Sequence, residues 1–345
     1  MQNFKLKILI FLTFYKTGGV FLKELMSRFW AGEHRALARV ISTVENELPG
    51  KDDILKEIYT KTGGAYILGV TGSPGAGKSS LVDTLVKEIR KNNEIVGIVA
   101  VDPTSPFSGG AILGDRIRMN EHALDEGVFI RSMGTRGSLG GLAKTTKEVV
   151  KVMDAFGMNW VIIETVGVGQ AELDIMYIAD TTVVVLTPGA GDSIQTMKAG
   201  IMEIADVFTI NKCDLPGADR VEMEVEMMLN FRDDHIKWRP PVVKTSTFNT
   251  TKGIAELLEA VKKHRDDLSE KGIFLKRRQE RASNEVLDII NYQWERLVKH
   301  HLGRPGQVSD LLEKVTSREI DPYTASHSII EWIIGDSGSQ KSSSQ

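Results

Sequence analysis

Residues 72–79 read Gly72-Ser73-Pro74-Gly75-Ala76-Gly77-Lys78-Ser79, three glycines with two serines and a lysine, set between the apolar run YILGV and the helix-like stretch SSLVDTLVKEI. Small residues let consecutive backbone N–H groups close around phosphate oxygens, and the start of a helix adds partial positive charge. In that setting Lys78 would reach the β and γ phosphates of a nucleotide. The Ser79 hydroxyl would ligate magnesium, and Ser80 continues the turn into the helix. This strand, loop and helix in register form a phosphate-binding loop.

A second motif selects the base. Asn211-Lys212-Cys213-Asp214 ends the run VFTIN. A carboxylate at Asp214 can accept the N1 and N2 hydrogens of guanine, a donor pair that adenine lacks, so GTP and GDP are favoured over ATP. Asn211 would tie the base loop to the phosphate loop, with the Lys212 stem over the ring. Thr245-Ser246-Thr247, after the next strand, can offer backbone N–H groups from Ser246 and Thr247 to the guanine oxygen; a plain strand-end turn explains the same residues.

Acids complete the set. Val161-Ile162-Ile163-Glu164-Thr165-Val166-Gly167 is an apolar strand ending in an acid and a glycine. There the Glu164 carboxylate can hold a magnesium-bound water, and the Gly167 N–H can bond the γ phosphate and release it on hydrolysis. Asp102, in VAVDPTSPFSGG, is a further magnesium candidate, or a turn cap before Pro103. Asp115, in GDRIRM, is a candidate catalytic acid, or a partner of Arg116. The segments PFSGGAILGDR, RSMGTRGSLGGLA and TPGAGDSIQTMKAG are rich in glycine and read as switch loops. Arg131, Arg136 and Lys198 could reach phosphate or a partner's acids.

These residues require a scaffold that gathers the carboxyl ends of several strands. Apolar strands are expected at Tyr66–Val70, Ile95–Val101, Val161–Glu164, Thr182–Leu186, Val207–Asn211 and Val242–Thr245, alternating with amphipathic helices. The pattern predicts an α/β fold, a mostly parallel sheet flanked by helices. Helical periodicity runs from Arg28 to Glu45 and again around Ile54–Tyr59. A long helix is expected from Lys276 to Leu302, with Ala282, Val286, Ile289, Ile290, Gln293, Leu297 and Val298 along one stripe. The organisation expected is an extension over 1–25, a helical segment over 26–62, the nucleotide domain over 63–265, a helical arm over 266–335 and a disordered tail over 336–345.

The chain has 345 residues, 41% hydrophobic and 26% charged, and a net charge of −3, an ordinary globular composition without attraction to nucleic acid. Its single cysteine, Cys213, cannot form an internal disulfide or build a metal cluster alone, which suits a reducing cytoplasm. Residues 8–15 (ILIFLTFY), flanked by lysines, resemble the start of a secretory signal. The run is too short to span a bilayer and lacks an A-x-A-like cleavage site, so no stable membrane insertion is expected.

Taken together, GVTGSPGAGKSSL, VDPTSPFSGGAILGDRIRM, FIRSMGTRGSLGGLA, ETVGVGQAE, TPGAGDSIQTMKAGIMEIAD and NKCD resemble the methylmalonyl-CoA mutase-associated GTPase family (MeaB or ArgK type, also labelled LAO/AO transport ATPase), over about Met26 to Ile334. The resemblance implies a G domain with a helical dimerisation arm. It also implies a chaperone that uses GTP to gate cofactor loading into an adenosylcobalamin-dependent acyl-CoA mutase and to protect or reactivate it. By position it gives residues Gly72 to Ser80 to the phosphates, Ser79, Asp102 and Glu164 to magnesium, and Asn211, Lys212 and Asp214 to guanine. One departure stands out: family members commonly carry two adjacent basic residues where this chain has Lys198 followed by Ala199.

Rival readings fare worse. A nickel metallochaperone GTPase would want Cys and His clusters, whereas one Cys and seven His are present. A transport-associated kinase would want ATP, against the guanine motif. A non-enzymatic GTP-binding scaffold would fit a chain in which Gln170 is the sole glutamine soon after Gly167.

Overall fold

The computed structural model describes residues 21–102, 122, 124–134, 141–165, 174–189, 203–231, 238–248, 251–302 and 307–339. The chain divides into two units, Met1–Phe274 and Leu275–Gln345.

In the first unit, a helix over residues 21–30 (α1) stops where Gly32 takes φ 82°, and α2 (His34–Glu45) begins after it. The Glu33 N–H bonds the Arg28 carbonyl and the Gly32 N–H that of Phe29, a Schellman closure, so the single helix expected from Arg28 to Glu45 is two. Helix α2 buries Ala36, Leu37, Val40, Ile41 and Val44, the stripe its periodicity predicts, and α3 (Lys51–Tyr59) buries Ile54 and Ile58.

The sheet has seven parallel strands: β1 (Tyr66–Gly72), β2 (Val96–Asp102), β3 (Val128–Gly134), β4 (Trp160–Glu164), β5 (Thr181–Leu186), β6 (Val207–Ile210) and β7 (Val242–Lys244), in the order β3-β2-β4-β1-β5-β6-β7. Helices α4 (Lys78–Arg90), α5 (Gly141–Ala155), α6 (Ala218–Asn230) and α7 (Ile254–Glu270) provide crossovers and flanking layers. Alternation along the strands fills two cores. Leu68, Val70, Ile162, Val183 and Val185 face α4 and α7, where Leu81, Leu85, Leu257 and Val261 meet them. Val161, Ile163, Val184 and Leu186 face the opposite way, with α2, α3, α5 and α6.

Six strands fall where the apolar runs predict them, and β3 was not anticipated. It is an edge strand whose residues 129–132 (Phe-Ile-Arg-Ser) are only half-buried, so it lacks the continuous apolar run of a central strand. Residues 131–134 of this strand open the glycine-rich segment RSMGTRGSLGGLA, whose composition reads as a switch loop. Arg131 is correspondingly removed from the phosphate candidates: its guanidinium pairs with Glu45 of α2, with Nε at 3.1 Å from Oε2.

Several polar contacts fasten the N-terminal helices to this sheet. Lys51 and Glu148 form a largely buried ion pair at 2.8 Å. The Asp154 carboxylate at the end of α5 accepts three successive backbone N–H groups, from Gly63, Gly64 and Ala65, at 2.5, 3.1 and 2.8 Å. Helix α7 buries Leu257, Leu258, Val261 and Leu268, so residues beyond 265 belong with the sheet, and Phe274 stacks on Tyr66.

Helix α8 (Ile273–Leu302), nearly all of it in the second unit, contains the whole of the long helix expected from Lys276 to Leu302. Val298 packs with Val308 and Leu311 of α9 (Gln307–Thr316) and with Ile329, Trp332 and Ile333 of α10 (Pro322–Ser339). Helix α10 runs past Ile334 to Ser339, into the stretch expected to be tail. No helix among the described residues is long and apolar enough to cross a membrane.

The Asp154 clasp gives a stability prediction. Asp154→Ala should lower unfolding free energy by about 2–3 kcal/mol, because three N–H groups lose a charged acceptor at once, and Asp154→Asn by less. Urea denaturation of the two variants and wild type checks this.

Candidate functional site

The site lies at the carboxyl edge of the sheet, where order reverses about β1: its neighbours β4 and β5 lead in opposite directions. Such a crevice is where parallel α/β sheets take ligands. The phosphate loop leaves β1 at Gly72, whose φ is 144°, and a Cβ there would stand 2.2 Å from the Val185 carbonyl oxygen of β5. Only glycine allows the two strand ends to approach so closely. Ser73, Pro74 and Gly75 form the outer turn, the Ala76 N–H bonds the Ser73 carbonyl, and Leu81 N–H to Gly77 carbonyl starts α4. Lys78 is buried and donates from Nζ to the carbonyls of Gly72 at 2.7 Å and Ser73 at 3.0 Å. Its ammonium thus lies inside the curve of its own loop.

Ser79 Oγ donates to Glu164 Oε1 at 2.6 Å, joining the first turn of α4 to the end of β4. Glu164 is buried at 5% exposure. Asp102 ends β2, the strand on the other side of β4, where Ala100 pairs with Glu164 in register. A hydroxyl beside a carboxylate is a pair of hard oxygen donors that suits magnesium. Ser80 is exposed on the outer side of the helix start.

The base motif is bound to the phosphate loop through the interior. Asn211 is fully buried and its Nδ2 donates to the Ala76 carbonyl at 2.9 Å. A Cβ on Gly77 would stand 2.5 Å from that nitrogen, so the loop must carry glycine there. Lys212, at φ 56°, reaches across with Nζ to the Gly75 carbonyl at 2.7 Å. Asp214 is exposed, and the Ser246 hydroxyl donates to its Oδ1. That bond, together with the residue's own backbone N–H and the nearby Lys212 charge, holds the Asp214 carboxyl below the usual range.

The Ser246 N–H is already used, bonding the Lys252 carbonyl, so the group Ser246 turns to Asp214 is its hydroxyl, while Thr247 is half-buried beside it. Thr245 is also engaged: its N–H bonds the Ile210 carbonyl, and its Oγ1 donates to Asn211 Oδ1 at 3.3 Å and lies 2.9 Å from Thr209 Oγ1. The only trace of this hydroxyl chain in the sequence is a threonine at each of two strand ends, one of them near an asparagine. Asp115, Arg136, Gly167, Gln170, Lys198 and Ala199 lie outside the described residues.

The carboxyl edge therefore offers a cradle of backbone and ammonium next to an acid and hydroxyl pair, with a carboxylate at the far end. The profile of the family described as "Methylmalonyl Co-A mutase-associated GTPase MeaB" matches residues 37–303. A relative from Pyrococcus abyssi with a GTPase name is 49% identical over 318 residues, covering 91% of this chain and 97% of its own. "Methylmalonic aciduria type A homolog, mitochondrial" from Caenorhabditis elegans is 30% identical, covering 91% of this chain and 83% of its own. Among solved structures, the crystal structure of an LAO/AO transport system kinase matches with a TM-score of 0.67 at 27% identity, over 90% of this chain and 97% of that one. The sheet order, the gathered motifs and these likenesses agree: the chain belongs to the methylmalonyl-CoA mutase-associated GTPase family and is a guanine nucleotide-binding GTPase.

Proposed function

We propose that the carboxyl-edge site binds GTP with magnesium and hydrolyses it, and that the nucleotide state governs service to an adenosylcobalamin-dependent acyl-CoA mutase. The observation that carries the site reading is the buried bond from Asn211 to Ala76, which brings the base motif and the phosphate loop, 135 residues apart, into one groove. In this reading the backbone of residues 72–80 wraps the phosphates. Lys78 turns from its loop carbonyls to the β and γ oxygens and balances the charge that develops on the leaving phosphate. Asp214, oriented by Ser246, accepts the guanine N1 and N2 hydrogens, and Lys212 bounds the ring. Ser79, Glu164 and Asp102 would hold magnesium, which when bound neutralises phosphate charge.

The partner reading is supported by the family description and by the name of the worm relative, both of which refer to methylmalonyl metabolism. Gating of cofactor loading and protection of the mutase follow the family resemblance. A homodimer through the second unit is supported by α8, whose Val286, Leu287 and Ile290 are each more than half exposed. An apolar face of that length normally finds a covering surface.

Three outcomes are expected. Lys78→Ala should cut magnesium-dependent GTP hydrolysis by about 100-fold or more, read as phosphate release; wild-type turnover by this variant would place the activity elsewhere. A purified cobalamin-dependent acyl-CoA mutase should accelerate GTP turnover by the wild-type chain and receive adenosylcobalamin from a loaded donor only with nucleotide present. Absence of both effects would remove the mutase from the reading while leaving the GTPase intact. Truncation after Phe274, which keeps α7 and the Tyr66 stack, should give a GTP-binding monomer by light scattering, and a truncated dimer would place the interface in the first unit.

A further inference from the structure

We propose that Thr187 is a further residue of the nucleotide site, its hydroxyl hydrogen-bonding to the phosphate end of a bound guanine nucleotide. Thr187 follows directly on β5, and its Oγ1 is buried with no hydrogen-bond partner among the described residues. The residue is 8% exposed. Its place is defined from both sides. The Val185 carbonyl, two residues earlier, abuts Gly72 at the mouth of the phosphate loop, and the Leu186 carbonyl accepts the Asn211 N–H. The end of β5 thus lies between the phosphate and base motifs, in the middle of the groove.

Orientation follows from the strand. Val183 and Val185 belong to the core that contains Ala76 of the phosphate loop and Leu81 of α4, while Val184 and Leu186 belong to the other. Continued alternation carries Thr187 to the phosphate-loop face. A buried hydroxyl without a partner is destabilising, and valine would fill nearly the same volume without leaving a polar group unpaired. A threonine is favoured here if its partner arrives with the ligand.

This inference rests on the nucleotide site proposed above, and the test separates the two. Full-length wild type, Thr187→Val, Thr187→Ser and Lys78→Ala would be compared by thermal melting without nucleotide and by calorimetry with GDP and a non-hydrolysable GTP analogue in magnesium. Thr187→Val should melt no lower than wild type without nucleotide, yet bind the nucleotides about five- to tenfold more weakly, the worth of one hydrogen bond. Thr187→Ser should bind as wild type. Unchanged affinity in Thr187→Val overturns the proposal if Lys78→Ala has lost affinity; if Lys78→Ala also binds normally, the site reading itself fails. A lower melting temperature for Thr187→Val without nucleotide overturns it too, because the hydroxyl would then already have a partner such as buried water. Failure of Thr187→Ser to restore binding assigns the effect to the methyl group and has the same consequence.

Discussion

One buried amide holds the two halves of the groove in register. Asn211 has no solvent exposure, and its side chain sits against the backbone of the phosphate loop at Ala76 and Gly77. An amide inside a protein must satisfy both its donors and its acceptor, and here the acceptor is met by Thr245 Oγ1, itself linked to Thr209. The position of the phosphate loop relative to the base motif is therefore set from below, by polar atoms between strands. Gly77 lacks a side chain because that amide needs the space, and Gly72 because β5 does. Two of the loop's glycines thus answer to packing beneath the site as much as to the phosphates above it.

The charges at the edge are arranged for a polyanion with a cation. Lys78 and Glu164 are both largely buried, and each is held by oxygen or hydroxyl partners of its own loop or its neighbour. Burying charge is costly unless it is paired or hydrogen-bonded, so these contacts keep the two groups poised while leaving them free to exchange partners. Ser79 and Glu164 offer hard oxygens that would hold a divalent cation, which would supply charge neutralisation beside the phosphates.

Much of this was legible in the sequence, for different reasons in different places. Central strands such as β4 and β5 are buried on both faces, and continuous apolar runs announce them. The phosphate loop and the base motif are local patterns whose chemistry constrains residue types directly. Strand β3 was missed because an edge strand with Arg131 at its centre looks like polar loop, and only the Glu45 ion pair across 86 residues explains the arginine. The break at Gly32 was hidden because the apolar period continues across it. Hydroxyl networks such as Thr209, Thr245 and Asn211 have no one-dimensional signature, since their members meet only when parallel strands align.

The order of the strands bears on how the chain is made. Strand β1, which launches the phosphate loop, pairs with β4 and β5, and Gly72 meets Val185 across more than a hundred intervening residues. At ribosomal speeds of about 5–20 residues per second, β1 waits several seconds for either neighbour, and Asn211 comes later still. A nascent chain halted before Asn211 could own a complete glycine loop and yet lack the amide that fixes it. The groove is consequently a late product of synthesis. Until it forms, an apolar strand with two open edges sits near the beginning of the chain, where a holding chaperone or early collapse against α4 would shield it.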